Sequence, residues 1–331
     1  MRTAITSLFI LLLSLLSCEG QENLRVSDFS SSPPLLIHRL DKAIRPLISN
    51  DTPALRNSLR KQYNYPLEIL GKAILNLPST DAPNFFDKLL SFYREPHLLK
   101  LYDDASLLID QNQHLEKDIA MAMAWAKATF PQHTIPAIFT HVSGLGQKIC
   151  VADSLLSFSI DHYMGSDYSF YQTFFTTEQK RKAEPQFIAR DVLMGWIMSE
   201  FPFAGNKRIL LDRMIYQGAL RYIIRQAYPT LSIYDLLGYT TEDKSWCLNN
   251  EKKLWNTLIM RKHLFTPDRL TTAQYMGEKK TPLLEPETPP EIGIWLGYQI
   301  VENYMNKNKV SYLTLLQTSA QDILMQSGFN P

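Results

Sequence analysis

The stretch IARDVLMGWIM, residues 188–198, carries Arg190 and Met194 four positions apart, which puts both on one face of a helix with Asp191 next in the chain. A metallopeptidase helix holds two zinc-binding histidines at that spacing, as His-Glu-x-x-His. The i and i+4 positions aim both imidazoles at one ion, and the Glu takes a proton from bound water. No His-Glu-x-x-His occurs in the chain. Its histidines are His38, His97, His114, His133, His141, His162 and His263; no two are four apart, so a metal site would have to be assembled from distant ones. Other catalytic signatures are missing as well: there is no G-x-S-x-G elbow, no glycine-rich phosphate loop and no G-x-G-x-x-G. Acid pairs such as Asp103 with Asp104, or Asp161 with Asp167, have the chemistry for acid–base work, yet paired carboxylates are common on solvated surfaces.

The elements that would position such a face are mostly helical. From Leu35 to about Phe130, PLEILGKAILNL, NFFDKLLSFY, HLLKLYDDASLLI and HLEKDIAMAMAWAKATF repeat apolar residues at three and four, punctuated by prolines. The period then changes. IPAIFTHVSG, KICVADS and LLSFSIDHYMG predict three strands of one small sheet within residues 135–161. SDYSFYQTFF reads as an aromatic loop, and Tyr163, Tyr168, Phe170 and Tyr171 offer a contact surface if exposed, or core if they turn inward. Helical spacing returns at residues 186–201, 206–228 and 242–261. The proline-rich segment 266–291 reads as a surface loop or flap, followed by two closing helices, GIWLGYQIVENYMN and TLLQTSAQDILMQSG.

The chain has 331 residues, 45% hydrophobic and 20% charged, enough for a substantial core. Lys and Arg total 34 against 33 Asp and Glu, so no field of one sign is available to attract nucleic acid. Arg2 followed by the apolar run from Leu8 to Ser17 is a secretory signal, too short to span a bilayer as a stable helix. The Leu15-Leu16-Ser17-Cys18 junction resembles a bacterial lipobox, which implies cleavage before Cys18 and acylation there. Residues 1–17 are then the signal, 18–34 the lipid anchor and a tether ending in Ser-Ser-Ser-Pro-Pro, and 35–331 a single globular domain. Cys150 and Cys247 are left either to pair or to stand as separate thiols.

Six segments in order, LLIHRLD, FSIDHYMGSDYSFY, ARDVLMGWIMSEFP, LLDRMIYQGALRYII, GYTTEDKSWCLNNEKKLW and GIWLGYQIVENYM, resemble the GldB family of gliding-motility lipoproteins over nearly all of the mature chain. Part of this pattern is also similar to predicted zinc-dependent peptidases. That likeness places Arg190 and Met194 at the two His positions, Asp191 at the general base and Gln217, before Gly218, at the third ligand. Every ligand is then replaced, and a guanidinium repels zinc while a thioether binds it poorly.

The resemblance implies a mainly helical α+β, zincin-like domain, degenerate at the metal site, with a small mixed sheet and no cofactor. It implies a non-enzymatic lipoprotein of the cell envelope, held to the inner or outer membrane by its acyl chains and facing the periplasm. Its partners would be other envelope, gliding or secretion proteins. Two alternatives stand beside it: an envelope hydrolase or peptidase with an unusual metal site, and a peptide- or glycan-binding module whose groove would be lined by the strand around Leu155 to Ile160.

Overall fold

The computed structural model describes residues 24–280 and 286–331, so the signal segment, Cys18 and part of the proline-rich stretch lie outside the described residues. Apolar spacing at three and four becomes helix throughout the N-terminal third: α1 (Leu40–Ser49), α2 (Pro53–Ile69), α3 (Phe85–Tyr93), α4 (Pro96–Gln111) and α5 (Leu115–Thr129). Two of these starts are set locally. The Leu55 N–H donates to Thr52 at 3.3 Å ahead of α2, and the Leu98 N–H donates to Glu95 at 2.8 Å ahead of α4, each with proline in the first helical position.

Order begins earlier than the expected tether of residues 18–34 allows. Val26–Phe29 forms a 3₁₀ turn against α5, Val26 is buried, and the Leu24 carbonyl accepts from the Trp125 indole at 2.8 Å. Leu24, Val26 and Phe29 supply apolar contacts that the polar composition around them hides, and burying them offsets the entropy of ordering the segment.

The sheet has four strands, one more than expected: β1 (Ile37–His38), β2 (Ala137–His141), β3 (Ile149–Ala152) and β4 (Leu155–Ser159). Their order is β1-β2-β4-β3, with β1 and β4 parallel to β2, and β3 antiparallel to β4 through a two-residue turn at Asp153 and Ser154. β1 escapes detection because two residues show no period. β4 is buried along its whole length, whereas every residue of the edge strand β3 is half-buried.

Beyond the sheet run α6 (Tyr171–Phe174), α7 (Thr177–Arg181), α8 (Ile188–Glu200), α9 (Leu210–Ala227), α10 (Ile233–Leu237), α11 (Thr241–Met260), α12 (Arg269–Met276), α13 (Ile292–Asn308), α14 (Tyr312–Gln317) and α15 (Ala320–Ser327). The proline-rich segment is therefore not a plain surface loop. It contains α12, capped by Asp268, and its last residues, Thr288 to Glu291, are buried. The aromatic stretch likewise ends in the short helix α6. One apolar core runs from Val26 to Phe329, and its most extensive helix pair is α9 crossing α13. The architecture is mainly helical α+β with a small mixed sheet. Cys150, half-buried on β3, and Cys247, buried in α11, are both free thiols.

Candidate functional site

α8 lies against the edge strand β3. Gly195 sets how close the two come, because a Cβ there would sit 2.5 Å from Cγ2 of Ile149. Beside this contact opens a cleft of about 420 Å³, lined by Lys148, Ile149 and Val151 on the strand side and by Arg190, Asp191 and Met194 on the helix side. Arg221 of α9, Lys182 and Glu291 close the rest of the rim.

Asp191 is the centre of the site's electrostatics. Its Oδ1 accepts from Arg190 Nε at 2.7 Å, and its Oδ2 meets Lys148 Nζ at 2.7 Å and the Tyr163 hydroxyl at 3.1 Å. Burial alone would raise the Asp191 pKa, but the charges of Arg190 and Lys148 outweigh it and hold the carboxyl well below the usual range. Burial draws the Lys148 ammonium below the ordinary lysine value, with Asp191 opposing it, and Lys148 also lies over the Tyr163 ring at 4.5 Å. The Arg190 guanidinium sits 4.0 Å from the Phe187 ring, and its Nη1 is buried without a hydrogen-bond partner. Glu291, in a left-handed backbone conformation at φ 54°, accepts from Lys182 at 3.0 Å.

The loop between β2 and β3 aims Lys148 into this cluster. Asp161 accepts from the backbone N–H groups of Ser143 at 3.1 Å and Leu145 at 2.7 Å. His141 bridges the Ser157 hydroxyl, 2.7 Å from Nδ1, and the Gln147 carbonyl, 3.0 Å from Nε2, an arrangement that suits the neutral ring. Burial pushes the His141 pKa down to about 4, and pushes His162 down as well. Because the folded value lies below the unfolded one of about 6.5, the unfolded state binds the proton first. The contribution is complete above pH ~6.5 and is lost as the pH falls toward the folded value. Urea unfolding between pH 7 and 4 is expected to show stability falling with pH, and His141→Gln is expected to flatten that slope. A slope identical to that of the parent chain would contradict this role.

Of the residues singled out in the sequence, the fold unites Arg190, Asp191 and Met194 but leaves Gln217 off the cleft wall. The Gln217 amide oxygen instead accepts from the guanidinium of Arg221, which does line the cleft. Burial lowers the Arg221 pKa against the opposing charges of Glu291 and Asp191. The expected aromatic surface divides. Tyr163 and Tyr171 are fully buried, because their hydroxyls find interior acceptors at Asp191 and at the Asp161 carbonyl, 2.6 Å away. Tyr168 and Phe170 are half-buried, and the most exposed ring of the group is Phe174, which stacks on Phe170. Three of these acids are already engaged: Asp103 with Arg45, Asp104 with Lys100 and Tyr168, and Asp161 with the loop backbone, while Asp167 is exposed. Sequence reading missed Lys148, Lys182, Arg221 and Glu291, lone charges in no motif that only folding brings together.

Among the described residues no group of three or more His, Cys, Asp and Glu side chains stands ready to hold a metal ion. Nor is any described helix long and apolar enough to cross a membrane. Against known families, the model for the gliding motility protein GldB matches residues 21–331. The chain belongs to the GldB gliding-motility family. No curated protein and no solved structure matches it. The family match spans the cleft, both crossing helices and the C-terminus, and membership implies a gliding-motility lipoprotein anchored to an envelope membrane.

Proposed function

We propose that the chain is a non-catalytic docking protein of the gliding machinery, or of the secretion apparatus coupled to it. Acyl chains on Cys18 hold it at an envelope membrane and raise its local concentration there, while the folded domain binds a partner protein. The observation that carries the non-catalytic reading is the state of Asp191, which stands where a related peptidase would keep its general base. Both of its oxygens are taken by cations at 2.7 Å, and its pKa is held far below the neutral range in which a base works. Arg190 and Met194 do not fit a zinc ion either, one being a fixed cation and the other a poor donor for this metal. A helix bearing these positions, laid against the antiparallel edge strand of a mixed sheet, supports a zincin-like ancestry for the scaffold.

A second reading, that the cleft takes an extended peptide, is favoured by the edge strand. The strand bounding the cleft is β3, not Leu155 to Ile160, which runs through the interior. β3 has a partner strand on one side only, which favours pairing with an added strand on the other, where the Ile149 carbonyl would have to exchange the Gln147 side-chain amide that it accepts from at 2.7 Å.

Metal content separates docking from catalysis. After equilibration with zinc and removal of the excess, the purified chain is expected to retain no stoichiometric metal by elemental analysis. One zinc per chain, lost on substituting two or three histidines, would overturn the proposal and restore a peptidase.

A further inference from the structure

The end of α11, the turn after it and the start of α12 gather exposed apolar side chains as no other described segment does. Ile259 is 49% exposed, Met260 75%, Phe265 50% and Leu270 77%, all within twelve residues, while the other exposed large apolar side chains stand singly. Single exposed apolar residues are ordinary, whereas a cluster marks an interaction surface. Arg261, Lys262 and Arg269 are exposed among them. The one acid of the segment, Asp268, is occupied in capping α12, accepting from the Leu270 N–H at 3.1 Å and the Thr271 N–H at 3.0 Å.

This tip is built, not frayed. Leu258 and Leu264 are buried beneath it, and the Leu264 carbonyl accepts from the Leu211 N–H at 3.1 Å, which ties the turn to the start of α9. α11 ends in a Schellman motif: Lys262 N–H donates to the Ile259 carbonyl and His263 N–H to that of Leu258, both at 3.0 Å. The motif puts Lys262 at φ 56°, a left-handed position that favours glycine. A lysine there keeps a positive charge at the tip against its own backbone preference.

We propose that residues 259–270 rest in the interface of an anionic phospholipid bilayer, with the apolar side chains inserted and the basic ones at the headgroups. This rests on the reading that Cys18 is acylated. Only residues 19–23 separate Cys18 from Leu24, where described structure begins, and so short a chain reaches at most about 20 Å. A domain of this length is roughly 50 Å across, so the anchor keeps it close to the bilayer and raises the effective concentration of lipid at its surface. Apolar side chains ringed by Lys and Arg are the composition that partitions into an anionic interface, the long basic side chains snorkelling to the phosphates.

The test uses the chain from residue 18 onward carrying Cys18→Ala, so that no acyl group contributes, in sedimentation with vesicles. One vesicle preparation contains phosphatidylglycerol in phosphatidylcholine, the other phosphatidylcholine alone. The chain is expected to partition onto the anionic vesicles and several-fold less onto the neutral ones. Combined Met260→Ser, Phe265→Ser and Leu270→Ser should lower that partition at least ~10-fold. Combined Arg261→Ser and Arg269→Ser should lower it on anionic vesicles by roughly 10-fold while changing neutral binding little. All these side chains are exposed, so unfolding in urea should match the parent and exclude misfolding as the cause. Absence of binding to anionic vesicles, or a triple variant that binds like its parent, would overturn the proposal. Finding Cys18 unacylated in cells by mass spectrometry would remove the anchor reading while leaving the vesicle result to stand separately.

Discussion

Asp191→Ala is expected to destabilise the folded chain by about 3–5 kcal/mol, the usual cost of removing one member of a buried ion pair. Arg190 and Asp191 have side chains only 4% and 5% exposed, so the substitution leaves a guanidinium in the interior with its neutralising carboxylate gone. Arg190 already has one buried nitrogen without a partner, which leaves little room for relief by rearrangement. Replacing both residues, Arg190→Met with Asp191→Leu, should recover part of the loss, because the guanidinium is no longer stranded and only Lys148, with its side chain 33% exposed, is left without its carboxylate. Urea denaturation of the two single variants and the double variant measures the coupling directly. A single Asp191→Ala loss below ~1 kcal/mol would show that the pair is solvated and not buried. The pH dependence has a fixed sign. Asp191 has its folded pKa depressed, so its contribution is present above the unfolded carboxylate value of about 4 and is lost as the pH falls below it. The acid limb of the stability profile should therefore flatten in Asp191→Ala.

Gly297→Ala is expected to cost about 3 kcal/mol or more, against the sign that helix propensity alone assigns. In a free helix the change to alanine gains about 1 kcal/mol. Here α13 crosses α9 backbone to backbone. A Cβ on Gly297 would lie 2.1 Å from the Met214 carbonyl oxygen, and one on Gly218 would lie 2.4 Å from the Gly297 carbonyl carbon. Neither obstacle is the far end of a flexible side chain, so relief requires the two helices to separate, and the core between them is close-packed. Thermal and urea unfolding should both register the loss. A Gly297→Ala chain as stable as the parent would mean that the helices cross farther apart than this geometry requires. Gly218 follows Gln217 at the position matched to a metal-ligand pair, and its evident task in this fold is to let α13 approach.

Much of the architecture was legible in the residues because local physics wrote it. Long amphipathic runs such as HLEKDIAMAMAWAKATF became helices, and the change of period after Ile135 became the sheet, since one buried face per element leaves a periodic trace. Where the trace is short or ambiguous, reading failed or left the outcome open. β1 is two residues long, Val26 is buried within polar sequence, and Tyr163 and Tyr171 turn inward because acceptors await them in the interior.

What the sequence determined by itself was the family, matched over residues 21–331, the absence of a His-Glu-x-x-His helix, and the shared face of Arg190 and Met194. These are properties of residue identity and of spacing within one helix. Only the tertiary structure decided that Lys148 from a loop would meet Asp191, that Arg221 and not Gln217 would line the cleft, and that four apolar side chains between residues 259 and 270 would stay exposed. Those outcomes depend on which distant segments pack together. A lone charge or apolar residue acquires its partner only when the chain closes around it, and no spacing along the sequence records that closure.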